Sequence, residues 1–136
     1  MFFSHRVVVI DDSPTTCAVI RRVLEREWWV VETYLRPLPA LQALWQADRP
    51  PCALILDIGL PQLDGYQVAH QVRTKAPATL RPLPIIGLSG RDGTLDRLKG
   101  RLVGMDAYLV KPFDPTELLA LLSRLLVIAP TDECMC

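Results

Sequence analysis

Polar side chains close four apolar runs of this chain. Asp11 and Asp12 follow RVVVI, Asp57 follows CALIL, Ser89 follows PIIGL and Lys111 follows AYLV. If those runs are parallel strands of an open sheet, their carboxyl ends line one crevice, where ligands bind. Residues far apart in the chain then meet in one small volume. Three carboxylates, one hydroxyl and one ammonium suit a divalent cation and a phosphoryl group. Without a cation the carboxylates repel one another and some hold protons. With one, a carboxylate can attack phosphorus to give an acyl phosphate. Asp11 or Asp12 alone would read as a turn or cap residue; the set as a whole reads as chemistry.

The elements that must position these groups alternate regularly. RVVVI at 6–10 is a strand, and 14–27 a helix with Ser13 as N-cap, Pro14 in its first turn and Cys17, Ile20, Val23 and Leu24 as one apolar stripe. WWVVETY at 28–34 is β-rich, which would send Trp28 and Trp29 to opposite faces, one to the core. PALQALWQA forms a short helix. PPCALIL reaches Asp57 as a continuous apolar run, the pattern of a strand buried on both faces. DGYQVAHQVRTKA is a third helix capped by Asp64, LPIIGL a fourth strand, and TLDRLKGRLV a weaker helix with Gly100 inside it. MDAYLV is the fifth strand. The last helix starts at Asp114 with Pro115 and Glu117, a capping-box arrangement. Five strand–helix pairs with short connections give an α/β parallel sheet covered on both faces. The expected organisation is one domain over residues 5–128 and a flexible tail over 129–136.

Composition narrows the function. With 136 residues, half of them apolar, one well-buried core is expected. Fifteen basic residues balance fifteen acidic ones, so there is no basic excess to suggest nucleic acid. The longest apolar stretch, LLALLSRLLVIA, is short and carries Arg124, which argues against a membrane span. MFFSHRVVVI runs straight into the first strand without signal-peptide features, making the cytoplasm the expected compartment. Cys17 and Cys52 read as small buried hydrophobes, and Cys134 and Cys136 as incidental thiols of a frayed tail. His5 and His70 read as surface residues, having no partners suggested by spacing.

IDDS after the first strand, LDIGLPQLDG around Asp57, LSG at Ser89 and YLVKPF around Lys111 together resemble response-regulator receiver domains of the chemotaxis type, over residues 5 to 128. The resemblance implies a doubly wound (βα)5 fold, flavodoxin-like, with strand order 2-1-3-4-5. It implies Asp57 as phosphoacceptor in a two-component phosphorelay, with a histidine kinase or phosphotransfer protein as donor. It also implies Mg²⁺ held by Asp11, Asp12, Asp57 and the backbone carbonyl of Gly59. Ser89 and Lys111 match the groups that bind phosphoryl oxygens, and Pro112 the position of a cis peptide that aims the lysine. Tyr108 matches the aromatic that follows the hydroxyl, so that phosphorylation reshapes the face of helix four, strand five and helix five for an output protein. The chain would then catalyse only its own phosphorylation and dephosphorylation.

Finer features add expectations. GRDGTLDRLKGRLVGMDAYLVKPF is similar to stand-alone receivers of pilus-driven twitching motility. Gly90 replaces a common alanine after the switch hydroxyl, leaving the approach of helix four looser. Arg91 and Gly59 fall where receivers tune acyl-phosphate lifetime, and the small residue at 59 leaves room for water. The leucines of the last helix, Leu118 to Leu126 with Val127 and Ile128, exceed one buried stripe, so that helix is expected to dock a partner or a second copy in a homodimer. The rival from another class is an aspartate-nucleophile, metal-dependent phosphohydrolase. It fits less well, because DDSPT has no acid two positions beyond Asp11.

Overall fold

The computed structural model describes residues 5–60, 64–90 and 94–128. Ten elements alternate: β1 Arg6–Ile10, α1 Pro14–Glu25, β2 Val30–Tyr34, α2 Pro37–Gln46, β3 Ala53–Asp57, α3 Gly65–Thr74, β4 Ile85–Ser89, α4 Thr94–Leu102, β5 Ala107–Val110 and α5 Pro115–Ile128. The strands form one parallel sheet in the order β2-β1-β3-β4-β5, the doubly wound order expected. Because side chains alternate along a strand, the sheet feeds two separate cores. Val8, Ile10, Leu54, Leu56 and Ile85 meet α2 and α3, with Met105 and Tyr108 against the same cluster. Val7, Val9, Ile55, Ile86 and Leu88 meet α1 and α5. All five residues of β3 are buried, as its unbroken apolar run requires.

Helix starts follow the capping chemistry of the sequence. The Ser13 side chain accepts a hydrogen bond from Thr16 N. Asp64 caps α3 and forms a full capping box with Gln67. The Glu117 carboxylate accepts from Asp114 N at 3.2 Å, and Asp114 Oδ1 from Thr116 N at 2.9 Å.

Three expectations change. β2 begins at Val30, not at Trp28, because α1 ends in a left-handed turn. Trp28 N–H donates to the Glu25 carbonyl and Trp29 N–H to the Leu24 carbonyl, with Trp28 at φ 67°. That pair of bonds closes a helix on a residue that is usually glycine. Trp28 is 87% exposed, whereas Trp29 is half-buried against the α1–α5 core. His5 is not a bare surface residue: its ring lies 5.1 Å from that of Trp29, and Nδ1 is 3.6 Å from Cys52 Sγ. The start of β1 lies beside the start of β3, which sequence separation hides. On α5, Leu118 and Leu122 are fully buried, while Leu119, Leu121 and Leu125 are half-buried against the same core. Their excess is largely a wider core contact. Among the described residues, the large apolar side chains most exposed after Trp28 are Leu102 and Leu38, on α4 and α2.

Arg73 of α3 fastens the far side of the sheet. Its guanidinium donates to the carbonyls of Gly104, Arg81 and Leu83, and to Asp106 Oδ2 at 3.0 Å. Asp106 Oδ2 in turn accepts from Ile85 N. Among the described residues no helix is long and apolar enough to cross a membrane. Arg91, Cys134, Cys136 and the 129–136 tail lie outside the described residues.

Candidate functional site

Parallel strands bring Asp11, Asp57, Ser89 and Lys111 to one end of the sheet. Asp57 is the last residue of β3, and Asp11 follows β1 directly. Ile10 pairs in register with Leu56, so the two acids leave the sheet at the same level. Asp11, Asp12 and Asp57 can each offer an oxygen, and these atoms all lie within 4.8 Å of one another. Asp11 is 0% exposed and Asp57 7%, while Asp12 stands exposed at the rim. The arrangement is a cup with two acids at the floor and one at the lip.

Each floor carboxylate has a backbone N–H on one oxygen and the Lys111 ammonium near it. Asp11 Oδ1 accepts from Ser13 N at 2.9 Å. Its Oδ2 is buried with no hydrogen-bond partner, although Lys111 Nζ sits 2.8 Å away as an ion pair. The ammonium offsets the charge of this buried oxygen. Asp57 Oδ1 accepts from Gly59 N at 3.1 Å and lies 3.8 Å from Lys111 Nζ. Burial pushes the Asp57 carboxyl above its ordinary value; the Gly59 N–H and Lys111 pull it down, and the Asp11 and Asp12 charges push it further up. A crowded, self-repelling group of carboxylates is the electrostatic environment that a hard divalent cation relieves.

Lys111 and Ser89 are held together through the backbone: Lys111 N donates to the Ser89 carbonyl at 2.7 Å. Ser89 is 4% exposed at the end of β4, next to Leu88, which pairs in register with Asp57. The Lys111–Pro112 peptide is cis. Tyr108 is not in the cup. It lies three residues upstream on β5 and packs on the α3–α4 side of the sheet. Among the described residues, a Cβ at position 59 would meet only Asp57 Oδ1, at 3.9 Å, and one at position 90 would meet none within 4 Å.

Sequence reasoning missed one positioning residue. A Cβ at Gly65 would fall 2.6 Å from the Asp57 carbonyl oxygen and 2.7 Å from Ile58 Cα. Gly65 N also donates to the Ile58 carbonyl at 3.1 Å. Helix α3 therefore starts hard against the backbone that carries Asp57. The signal in the sequence is the glycine of QLDG, directly after the capping aspartate.

The response regulator receiver domain model matches residues 7–123. This chain belongs to that family. The receiver is 39% identical to the protein PilG of Pseudomonas aeruginosa over 114 residues, which cover 84% of this chain and 82% of PilG. Its fold matches the chemotaxis protein CheY4 of Vibrio cholerae with a TM-score of 0.83 at 28% identity, over 90% of this chain and 99% of CheY4. It also matches the receiver domain of the sensor histidine kinase PA1611 from Pseudomonas aeruginosa, with a TM-score of 0.81 at 27% identity over 91% of this chain and 98% of that one. That structure has a magnesium ion coordinated in its active-site cleft. Other curated relatives are response regulators matched over only 50% to 53% of their own length. Receivers of this family take a phosphoryl group on an aspartate with Mg²⁺ and are generally signalling rather than catalytic domains.

Proposed function

We propose that this receiver accepts a phosphoryl group on Asp57 from a histidine kinase or phosphotransfer protein and passes the signal on by binding another protein. The observation that carries the reading is the meeting of Asp11, Asp12 and Asp57 within 4.8 Å, with Lys111 Nζ 2.8 Å from Asp11 and 3.8 Å from Asp57. Asp11 and Asp57 each have a backbone N–H on one oxygen, but the other oxygen of Asp11 faces Lys111 Nζ at 2.8 Å in a fully buried residue, whereas Asp57 keeps 7% exposure, which supports Asp57 as the acceptor.

Asp11, Asp12, Asp57 and the Gly59 carbonyl would hold Mg²⁺. When bound, the ion neutralises the carboxylates and the phosphoryl oxygens. Asp57 must be ionised to act. Its free oxygen attacks phosphorus, the P–O bond forms as the donor's P–N bond breaks, and the released imidazole nitrogen takes a proton. Lys111 moves from Asp11 towards the new phosphoryl oxygens, a short swing for a flexible ammonium. The Ser89 hydroxyl donates to a phosphoryl oxygen, and Tyr108 follows the space that Ser89 leaves.

Two surfaces suit the partners. A groove of about 330 Å³ beside the cup is lined by Thr15, Thr16, Val19, Gly90, Lys111 and Phe113, and suits the apolar flank of a donor helix. On α4, Leu98 and Leu102 are 56% and 81% exposed at helical spacing, and this supports α4–β5–α5 as the output face. The similarity to PilG and the pattern of residues 90–113 support a role in pilus-driven motility. The half-buried leucines of α5 give less support to a homodimer than the sequence suggested.

The test is incubation with acetyl phosphate and Mg²⁺, followed by intact mass measurement. One phosphoryl group should be added, and none in EDTA or on Asp57→Asn. Multiple turnover of small phosphate esters, with no stable adduct, would instead favour the phosphohydrolase.

A further inference from the structure

Tyr108 is seated between two glycines that come from different elements. Gly87 of β4 pairs in register with Tyr108 of β5. A Cβ on Gly87 would lie 3.0 Å from Tyr108 Cε1, 3.3 Å from Cδ1 and 2.9 Å from Met105 Sδ. From the opposite side, a Cβ on Gly100 of α4 would overlap Tyr108 Oη and Cζ outright and lie 2.8 Å from Cε2. The ring thus fills a berth whose floor is Gly87 and whose roof is Gly100. Glycine inside a helix is less favourable than alanine by about 1 kcal/mol. Here the missing side chain is what lets the tyrosine hydroxyl pass under the helix.

The berth lies on the switch side of the strand. Gly87 and Ser89 are two apart on β4, so both face the same side of the sheet. A second space adjoins the ring: a groove of about 230 Å³ between α4 and α5, lined by Arg101, Met105, Asp106, Leu121 and Arg124 along with Tyr108 itself. The ring has one seat beneath α4 and open room beside it. Two discrete places for one side chain are the structural basis of a two-state element.

We propose that Gly100 is the positioning residue of the switch: its missing Cβ admits Tyr108 beneath α4, and so couples the ring to the seating of that helix. This rests on the switch reading of Ser89 and Tyr108. With an alanine at 100 the ring is shut out of the berth and turns to the α4–α5 groove. The state in which Tyr108 follows Ser89 inwards is then disfavoured, and phosphoryl binding weakens by linkage.

The experiment is a double-mutant cycle of Gly100→Ala and Tyr108→Ala with two readouts. The first is affinity for beryllofluoride in Mg²⁺, a phosphoryl mimic. Gly100→Ala should weaken it about tenfold with Tyr108 present and less than about twofold in the Tyr108→Ala background. The second is urea unfolding. Gly100→Ala should lower the midpoint with Tyr108 present and raise it without, where only the helix preference of alanine remains. Should Gly100→Ala fail to fold while the double variant folds, the berth is supported. Equal effects in both backgrounds, in either readout, overturn the proposal. If the unmodified protein binds no beryllofluoride, the phosphorylation reading falls, and the sign change in urea still decides whether Gly100 houses the ring.

Discussion

Lys111 Nζ lies 2.8 Å from Asp11 Oδ2 and 3.8 Å from Asp57 Oδ1, so the lysine rests on the carboxylate that is fully buried. Its ammonium covers the charge that a cation would otherwise cover. Lys111→Ala should therefore leave Asp11 buried and unpaired, costing about 2–3 kcal/mol in EDTA, below the full value for a buried pair because Lys111 keeps 26% exposure. Millimolar Mg²⁺ should recover most of that loss. Urea unfolding with and without the metal measures both. A loss that Mg²⁺ does not touch would mean the lysine acts only by packing.

The pH dependence of Asp57 has a definite sign. Burial raises its carboxyl above the ordinary value, so the folded protein holds this proton more tightly than the unfolded chain. Its ionisation then works against folding, and its contribution to metal-free stability falls as pH rises from the ordinary carboxylate range through the raised value. Asp57→Asn should unfold at higher urea than the unmodified protein at neutral pH in EDTA. The difference should vanish under acid conditions where both forms are neutral, and shrink on adding Mg²⁺, which needs the charged carboxylate. A metal-free Asn variant that is less stable at neutral pH contradicts the assignment of burial as the cause.

Gly65 tests how closely the fold controls the acid. Its Cβ would meet backbone on both sides, the Asp57 carbonyl oxygen at 2.6 Å and Ile58 Cα at 2.7 Å, and backbone gives way reluctantly. Gly65→Ala should cost about 2–3 kcal/mol. Labelling by acetyl phosphate should slow even under conditions where the variant is fully folded. Unchanged stability and labelling would show that α3 can retreat without disturbing Asp57.

Trp28 offers a change in the opposite direction. A bulky L-residue in the left-handed region is unfavourable by about 1–2 kcal/mol, and at 87% exposure the indole buries little in return. Trp28→Gly should stabilise the protein by about 1 kcal/mol in thermal or urea unfolding. A destabilised variant would reveal packing by the indole that its exposure does not suggest.

What the sequence revealed and what it hid divide along one physical line. Asp11, Asp57, Ser89 and Lys111 were legible because each ends an apolar run, and parallel strands bring such ends together. The caps of α1, α3 and α5 were legible because capping is local chemistry. Features set by contact between distant segments were not. WWVVETY has strand composition throughout, yet the closing bonds of α1 take Trp28 out of the strand. The leucines of α5 suggested a bare surface because nothing local says how far the core of β1, β3 and α1 reaches across them. His5 against Trp29 and Cys52, and the two glycines around Tyr108, are encounters between elements that no local pattern announces.

The central claim is that Asp57 carries the phosphoryl group, and one measurement addresses it directly. After treatment with acetyl phosphate and Mg²⁺, borohydride reduction converts an acyl phosphate to an alcohol, and peptide mass mapping locates the reduced residue. Reduction is expected at position 57 alone and is lost in EDTA. A label on Asp11 or Asp12, or no Mg²⁺-dependent label at all, would contradict it.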